Sequence, residues 1–554
     1  MRDKLRSTAR ATAALAIVVA GCGGDDSVPA NAAPLDAKAS EAFCVDLAAK
    51  AGLPATTLTT KYVPEGTKRP GTATTGAFLS GYCLITGSVD PRTGVDGKPY
   101  AIGFQLSMPD NWNGRFLYLG GGGNDGSLRD TSLSSSISGG TPSPLLQGFA
   151  VVSADAGHTG SSGAFALDPQ ARIDHAYNAH DKTAVTAKAL IRQRYGRGPD
   201  KSYFSGCSGG GRQGMMFSQR FPDYFDGITA GAPAMRVSSG ATVAAMWNNI
   251  KFNNIAPRDA SGARILSQAF SNDDLTLVGN AVNASCDAAD GVTDGLVQNT
   301  KACSFDPAVL QCSGAKTASC LAPEQVTALK DVFAGPKTSA GQLLYPGMPW
   351  DPGVRAPGWR AWTLGTSTTA TPNSNYALLM SDALVNEFFT PPDPTFNVLN
   401  FNFDSDPARM SAFSAVYDTY FDATLSAYKN RGGKLLFIHG MSDPIFSAKD
   451  TVAYYEKLAS NNGGMAATQG FARTFLVPGM NHCSGGPATD TFDSIQTMVD
   501  WVEKGIAPDT IPAVALPANA YMPGRSRPLC AYPKYARYKG SGSVEDAANF
   551  SCVE

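Results

Sequence analysis

The chain has 554 residues, with Lys+Arg 45 against Asp+Glu 47 for a formal net charge of -2, 43% hydrophobic and 17% charged residues, 58 Gly and 36 Pro. So even a charge balance excludes bulk electrostatic attraction to nucleic acid or to an anionic membrane, and the composition excludes a largely disordered or fibrous chain. What remains is a loop-rich globular protein, long enough for one large domain with an insertion or for two to four ordinary domains, whose partners are small and neutral or weakly charged.

In chain order, Arg2, Lys4, Arg6 and Arg10 precede the apolar run "ATAALAIVVA", which ends in Val19-Ala20-Gly21-Cys22. That layout marks residues 1–22 as an export signal, too short to cross a bilayer core of about 30 Å. Its ending resembles a lipoprotein box in which Cys22 becomes the acylated first residue. Release and a lipid anchor at Cys22 therefore both stay open, as a secreted protein or a periplasmic or outer-membrane lipoprotein. Residues 23–40, "GGDDSVPANAAPLDAKAS", are small, polar and Pro-containing, as a linker would be.

Strands are predicted at "YAIGFQLSMP", "GRFLYLGGGG" and "FAVVSADAG", and a helix at "HDKTAVTAKALIRQRYG". A strand, a sharp turn and a helix follow in "KSYFSGCSGGGRQGMMFSQRFP". Near the other end "RGGKLLFIHGMSD" and "ARTFLVPGMNHC" repeat the pattern of strand then loop, accompanied by a helix in "DTFDSIQTMVDWVEKG". Strands alternating with helices predict an α/β fold with a mostly parallel sheet covered on both faces. Residues 235–430 break the rhythm and hold Trp247, Trp350, Trp359 and Trp362. They are expected to form an inserted lid over a core built from 41–234 and 431–554.

The 11 cysteines fit an exported chain, where disulfides are the default. Setting Cys22 aside leaves an even number, enough for five bridges, and no CxxC spacing suggests a thiolate metal site.

Gly206-x-Ser208-x-Gly210 lies between an apolar strand and a helix, where small neighbours let a strained turn push a serine oxygen outward. A flexible glycine loop is the alternative. A nucleophilic serine needs a base, and the chain has 5 His. In this arrangement the order is Ser, acid, His, with the last two on loops after late strands. His482 and Asp443 fit it; His439 reads as a structural neighbour of the acid loop, and His158, His175 and His180 come too early. Cys483 directly follows His482 as Cys207 directly precedes Ser208. Side chains that meet at hydrogen-bond distance bring their neighbours within disulfide reach, so Cys207–Cys483 is predicted to tie the two loops together. Oxyanion donors are expected at Gly209 and at Gly123 in "YLGGGGNDG". The same loop matches G-x-G-x-x-G at Gly121, Gly123 and Gly126, a dinucleotide pattern, although the segment after it is a poor helix and no partner acid follows.

"CDAADGVTDGLVQN" places Asp287, Asp290 and Asp294 among glycines. Three carboxylates so close repel one another unless a hard cation lies between them, and calcium suits such oxygen ligands. A solvated acidic turn is the alternative.

The segments "GCSGGGRQGMMFSQRFPDYFDGITAGAPA", "CDAADGVTDGLV", "HGMSDP" and "VPGMNHCSGGP" resemble the tannase and feruloyl esterase family of secreted serine esterases, and within it the mono(2-hydroxyethyl) terephthalate hydrolase group. The resemblance covers roughly 41–554. It implies an α/β-hydrolase core with a large lid, the triad Ser208, Asp443 and His482, and structural calcium held by Asp287, Asp290 and Asp294 with the carbonyls of Val292 and Leu296. It also implies the bridges Cys207–Cys483, Cys44–Cys83, Cys286–Cys303, Cys312–Cys320 and Cys530–Cys552. An ungapped comparison puts Tyr376 where that group grips a substrate carboxylate with arginine, Met380 at a closing aromatic and Gly209 at a glutamate. Gly122, Trp362, Ser381, Phe389 and Phe446 match other substrate-binding positions. A tyrosine cannot make a bidentate ion pair, so the expected substrates are small esters of aromatic acids, of feruloyl, galloyl or terephthalate-monoester type, without emphasis on the last. The rival expectation is a calcium-dependent binding or scaffold protein that keeps the fold without turnover.

Overall fold

The apolar runs read as strands come together in one sheet in the computed structural model, which describes residues 37–66, 79–132, 137 and 143–554. Its nine strands are β1 (Thr56–Val63), β2 (Tyr82–Thr93), β3 (Pro99–Pro109), β4 (Arg115–Leu119), β5 (Ala150–Ala154), β6 (Lys201–Cys207), β7 (Gly227–Gly231), β8 (Lys434–Gly440) and β9 (Ala472–Val477). Their spatial order is β1-β2-β3-β5-β4-β6-β7-β8-β9. From β5 to β9 every neighbouring pair is parallel, while β1, β2 and β3 add an antiparallel edge. The central strands are buried almost throughout, as parallel strands covered on both faces must be. Thr-rich β1 alternates between exposed and partly buried residues, which explains why no continuous apolar run announces it.

Alternation along each strand sorts the core into two layers. Phe116, Tyr118, Phe204, Leu435 and Phe437 face one side; Leu117, Leu119, Tyr203, Leu436 and Ile438 face the other. Helices Ala179–Tyr195, Gly209–Arg220 and Ala448–Asn461 link successive parallel strands, and Ser494–Lys504 follows β9. The last begins where the Asp493 side chain accepts from the Gln496 amide and ends at left-handed Gly505.

The expected lid lies within the long connection between β7 and β8, with helices Thr242–Ile255, Asn272–Cys286 and Pro323–Ala334. One of its apolar clusters includes Ile445 and Phe446 from the loop after β8, and Leu35–Glu554 form one compact unit. After β9 the chain leaves the main sheet, pairing β10 (Thr510–Val514) with β11 (Ser526–Cys530) and β12 (Tyr535–Tyr538) with β13 (Phe550–Val553).

One expectation changes at the start of the chain. The linker predicted through residue 40 is shorter, because helix Ala37–Lys50 already includes residues 37–40; "AKAS" continues into good helix formers, and Cys44 is pinned to Cys83 of β2. The export signal, Cys22 and the earlier part of the linker lie outside the described residues. Among the described residues no helix is long and apolar enough to cross a membrane.

Candidate active site

Ser208 occupies the turn between β6 and helix Gly209–Arg220 with φ 67° and ψ -124°, a left-handed conformation that costs an L-residue on the order of 1–3 kcal/mol. Its neighbours make the turn possible. A methyl group on Gly206 would sit 2.8 Å from the Gly210 carbonyl group, and one on Gly210 would sit 2.7 Å from the Gly121 oxygen. The Ser208 amide donates to the Gly231 carbonyl at 2.9 Å, fixing the elbow to β7.

Across the site, Cys207 and Cys483 form a disulfide with Cα atoms 6.0 Å apart. It brings the residues flanking Ser208 and His482 together from positions separated by 276 in sequence. His482 Nδ1 donates to Asp443 Oδ2 at 2.7 Å. The buried Asp443 also accepts through Oδ1 from the amides of Ile445 at 2.9 Å and Phe446 at 3.1 Å. Burial pushes its carboxyl upward, but the charge of His482 and hydrogen bonds from His439 and His482 outweigh that and hold it well below the ordinary carboxylate range.

The other histidines have partners of their own, and of these His439 also lies beside the acid, its Nε2 3.4 Å from Asp443 Oδ2. His439 is buried, with Nε2 3.0 Å from the Phe446 carbonyl and Nδ1 2.9 Å from the Thr451 hydroxyl, beside the acid loop as expected. His175 meets Glu387 at 2.6 Å, His180 meets the Tyr118 hydroxyl at 3.0 Å, and His158 reaches the Asn124 carbonyl at 3.2 Å.

The glycine loop after β4 lies against the start of the elbow helix. A methyl group on Gly209 would sit 3.2 Å from the Gly123 oxygen, 3.4 Å from Gly122 Cα and 3.6 Å from the Gly123 nitrogen, so Gly122, Gly123 and Gly209 meet at one point. Gly123 has φ 62°. Trp362 approaches His482 edge-on with ring centres 5.1 Å apart, and the Phe446 ring lies 5.4 Å from the same imidazole.

A model of the tannase and feruloyl esterase family matches residues 83–553. This chain belongs to that family. It is 44% identical over 531 residues to mono(2-hydroxyethyl) terephthalate hydrolase of Piscinibacter sakaiensis, covering 87% of this chain and 86% of that one. It is 31% identical over 481 residues to a probable feruloyl esterase of Arthroderma benhamiae, covering 83% and 84%. Among solved structures, feruloyl esterase B from Aspergillus oryzae superposes with a TM-score of 0.77 at 28% identity, covering 93% of this chain and all of that one. As a member of the tannase and feruloyl esterase family the protein has an α/β-hydrolase fold and is a carboxylic ester hydrolase, which disfavours the scaffold alternative.

For this tannase and feruloyl esterase family member the remaining pocket expectations divide. Tyr376, expected at the substrate carboxylate, has a buried ring whose hydroxyl donates to the Pro444 carbonyl and accepts from Asn248 Nδ2 at 3.2 Å, so it buttresses the acid loop. Ser381 Oγ donates to the Tyr376 carbonyl at 2.9 Å, closing the turn. Met380 is buried in the lid cluster, and Phe389 is fully buried beneath Arg409, whose guanidinium carbon lies 3.7 Å from the ring centre. Met380, Ser381 and Phe389 are thus all buried, the first and last in the cluster that also holds Phe446. Leu379, which no sequence signal singled out, would be 3.9 Å from a methyl group on Gly123 and so faces the glycine loop.

All five disulfides implied by the resemblance are formed: Cys44–Cys83, Cys207–Cys483, Cys286–Cys303, Cys312–Cys320 and Cys530–Cys552. The third holds the acidic turn. There Asp287 Oδ2 accepts from the Gly295 amide at 2.6 Å, while its Oδ1 is buried without a hydrogen-bond partner. Asp290 accepts from the amides of Val292 and Gln298, both at 3.2 Å, and Asp294 from that of Leu296 at 3.1 Å. Burial, then the charges of Asp294 and Asp287, push the Asp290 carboxyl up to about 7. Asp294 is also paired with Arg527 of β11, and Arg525 donates to its carbonyl at 2.5 Å. Among the described residues no group of three His, Cys, Asp or Glu side chains is gathered closely enough to hold a metal ion; the expected set instead mixes carboxylates with the Val292 and Leu296 carbonyls. The partnerless Asp287 oxygen fits a cation, whereas the Arg527 pairing supplies Asp294 with a counter-charge of its own.

Asp351 was also missed in sequence. Fully buried, it accepts from the Ser442 hydroxyl, from the Gly353 amide at 3.0 Å and from the Gly479 amide at 3.0 Å, joining the lid to the loops that carry Asp443 and His482. "WDPG" signals a turn and nothing more.

Proposed function

We propose that the protein is an exported serine esterase that hydrolyses esters of aromatic acids through an acyl-enzyme on Ser208. The observation that carries this is the strained Ser208 elbow bridged through Cys207–Cys483 to His482, whose Nδ1 is held by Asp443 at 2.7 Å. Asp443 keeps the imidazole in the tautomer whose Nε2 accepts the Ser208 proton, and it stabilises the imidazolium that results. Ser208 Oγ attacks the ester carbonyl, and the amides of Gly123 and Gly209 take the developing oxyanion. Collapse breaks the bond to the alcohol oxygen, which leaves with the proton from His482. Water then attacks the acyl-enzyme, giving its proton to His482, and the acid departs as Ser208 is restored. Trp362 and Phe446 beside His482 supply aromatic surface for an aromatic acyl group.

Aromatic-acid substrates are supported by relatives named as a feruloyl esterase and a terephthalate-monoester hydrolase. Export is supported by five disulfides, which persist in oxidising compartments, and by the charged and apolar first 22 residues. The mass of the mature N-terminus separates a lipid on Cys22 from simple release. Asp287, Asp290 and Asp294, with the carbonyls of Val292 and Leu296, would hold a structural calcium ion, which would offset buried negative charge.

The test is Ser208→Ala in purified protein. Hydrolysis of methyl ferulate should fall by about 10⁴-fold or more, and labelling by a fluorophosphonate should vanish. Retained turnover would sink the acyl-enzyme mechanism.

A further inference from the structure

Behind the point where Gly122, Gly123 and Gly209 meet lies a chain of buried polar contacts that the catalytic roles leave unused. Gln213, on the helix that starts beside Ser208, is fully buried. Its Oε1 accepts from the Gly121 amide at 3.0 Å. Its Nε2 donates to Asp125 Oδ2 at 2.8 Å. Asp125, also buried, accepts through Oδ1 from the Gly122 amide at 3.0 Å. Two consecutive amides of the glycine loop are thus tied to one amide side chain on the nucleophile's own helix, directly and through one carboxylate.

The geometry points to Gln213 and Asp125 as a positioning clamp for the oxyanion site. The inference rests on the proposed roles of Ser208, Gly123 and Gly209. Glycines give a loop wide conformational freedom, and an oxyanion donor works only if its N–H is aimed before the charge develops. With the amides of Gly121 and Gly122 fixed to helix Gly209–Arg220, the next peptide, which carries the Gly123 amide, can move relative to Ser208 and Gly209 only if the clamp opens. A packing role alone would need a side chain of that volume. The clamp needs a definite order of donors and acceptors: amide to Gln oxygen, Gln nitrogen to carboxylate, carboxylate from amide.

That order supplies the test, because exchanging the two functional groups reverses it while keeping size and net charge. In Asp125→Asn the new amide nitrogen opposes the Gln213 nitrogen, donor against donor. In Gln213→Glu two carboxylates oppose each other. In the double variant Asp125→Asn/Gln213→Glu the new amide nitrogen at position 125 donates to the new carboxylate at position 213. That carboxylate still accepts from Gly121, and the amide oxygen at position 125 still accepts from Gly122, so every contact is restored. With methyl ferulate as substrate, each single variant should lose about 10- to 100-fold in kcat, a fraction of what losing a whole oxyanion donor removes, with KM changed less than about threefold. The double variant should recover most of the loss, as should the rate of inactivation by a fluorophosphonate, whose phosphoryl oxygen occupies the same site. Singles that leave kcat unchanged, or a folded double variant no better than the worse single, would overturn the clamp. If a single variant fails to fold, recovery in the folded double variant still decides the matter. Ser208→Ala in the wild-type background separates the two levels: turnover surviving there means that the reading of Ser208 has failed, whatever the clamp variants do.

Discussion

Cys207 and Cys483 are joined, and each is the chain neighbour of a residue the proposed chemistry needs, Ser208 on one side and His482 on the other. The strand end that carries the nucleophile and the loop that carries the base therefore share a covalent strut. Cys483 has φ 65° and Ser208 φ 67°, so both flanks of the strut are held in left-handed backbone. Such conformations persist only where the surroundings impose them.

Replacing both cysteines with serine should accordingly cost more activity than a remote bridge would. A displacement of about 1 Å between nucleophile and base costs on the order of 100-fold in rate. The expected outcome is a loss of about that size in kcat for Cys207→Ser/Cys483→Ser, against little change for Cys312→Ser/Cys320→Ser, whose bridge closes a short loop in the lid. Kinetics on methyl ferulate alongside thermal unfolding of both variants checks this.

Acid should destabilise the fold through His158. Burial, and then the nearby His175, lower its pKa from 6.5 to about 3. The unfolded chain takes up this proton first, so the stability tied to neutral His158 is complete above about 6.5 and is lost as pH falls from there toward about 3. The slope from one such group is at most about 1.4 kcal/mol per pH unit. Urea unfolding at a series of pH values should show stability declining below about pH 6.5, with a shallower decline in His158→Gln; identical slopes would exclude His158 as a source.

Tyr376 offers a test of the lid. Tyr376→Phe removes the hydroxyl bonded to the Pro444 carbonyl and Asn248, and should cost about 1–2 kcal/mol of stability with a several-fold drop in kcat. Tyr376→Arg buries an unpaired guanidinium beside the acid loop. It should lower kcat/KM for a terephthalate monoester and for methyl ferulate together. A selective gain on the monoester would show that this side chain reaches the substrate after all.

Chelation tests the acidic turn. If Asp287, Asp290 and Asp294 hold calcium, a strong chelator should lower stability by about 2–4 kcal/mol relative to saturating calcium, and added calcium should restore it. Asp290→Asn should abolish that response. No effect of chelation on unfolding would leave Asp294 paired with Arg527 as the whole account of the turn.

Much of the site was legible in the residues themselves because its signals are local. A serine between glycines after an apolar strand and two cysteines each adjoining a candidate catalytic residue are both short-range patterns. Parallel strands β4, β5, β6, β8 and β9 were legible for the same reason, since strands buried on both faces read as continuous apolar runs, whereas the short Gly-Ile-Thr-Ala-Gly of β7 was not. Strand β1, half exposed and rich in Thr, carried no such run.

Tertiary structure alone decided what depends on distant segments meeting. Whether Tyr376 faces a substrate or the Pro444 carbonyl turns on how the lid's turn packs on the loop after β8. Gln213 and Asp125 look like ordinary polar residues until the fold places one on the elbow helix and the other in the glycine loop beside it. Arg527 meets Asp294 from 233 positions away. Sequence determined which chemistry was available, because reactive groups and the turns that expose them are set by neighbouring residues; tertiary structure decided which side chains support it, because a buried hydrogen bond depends on both partners' register.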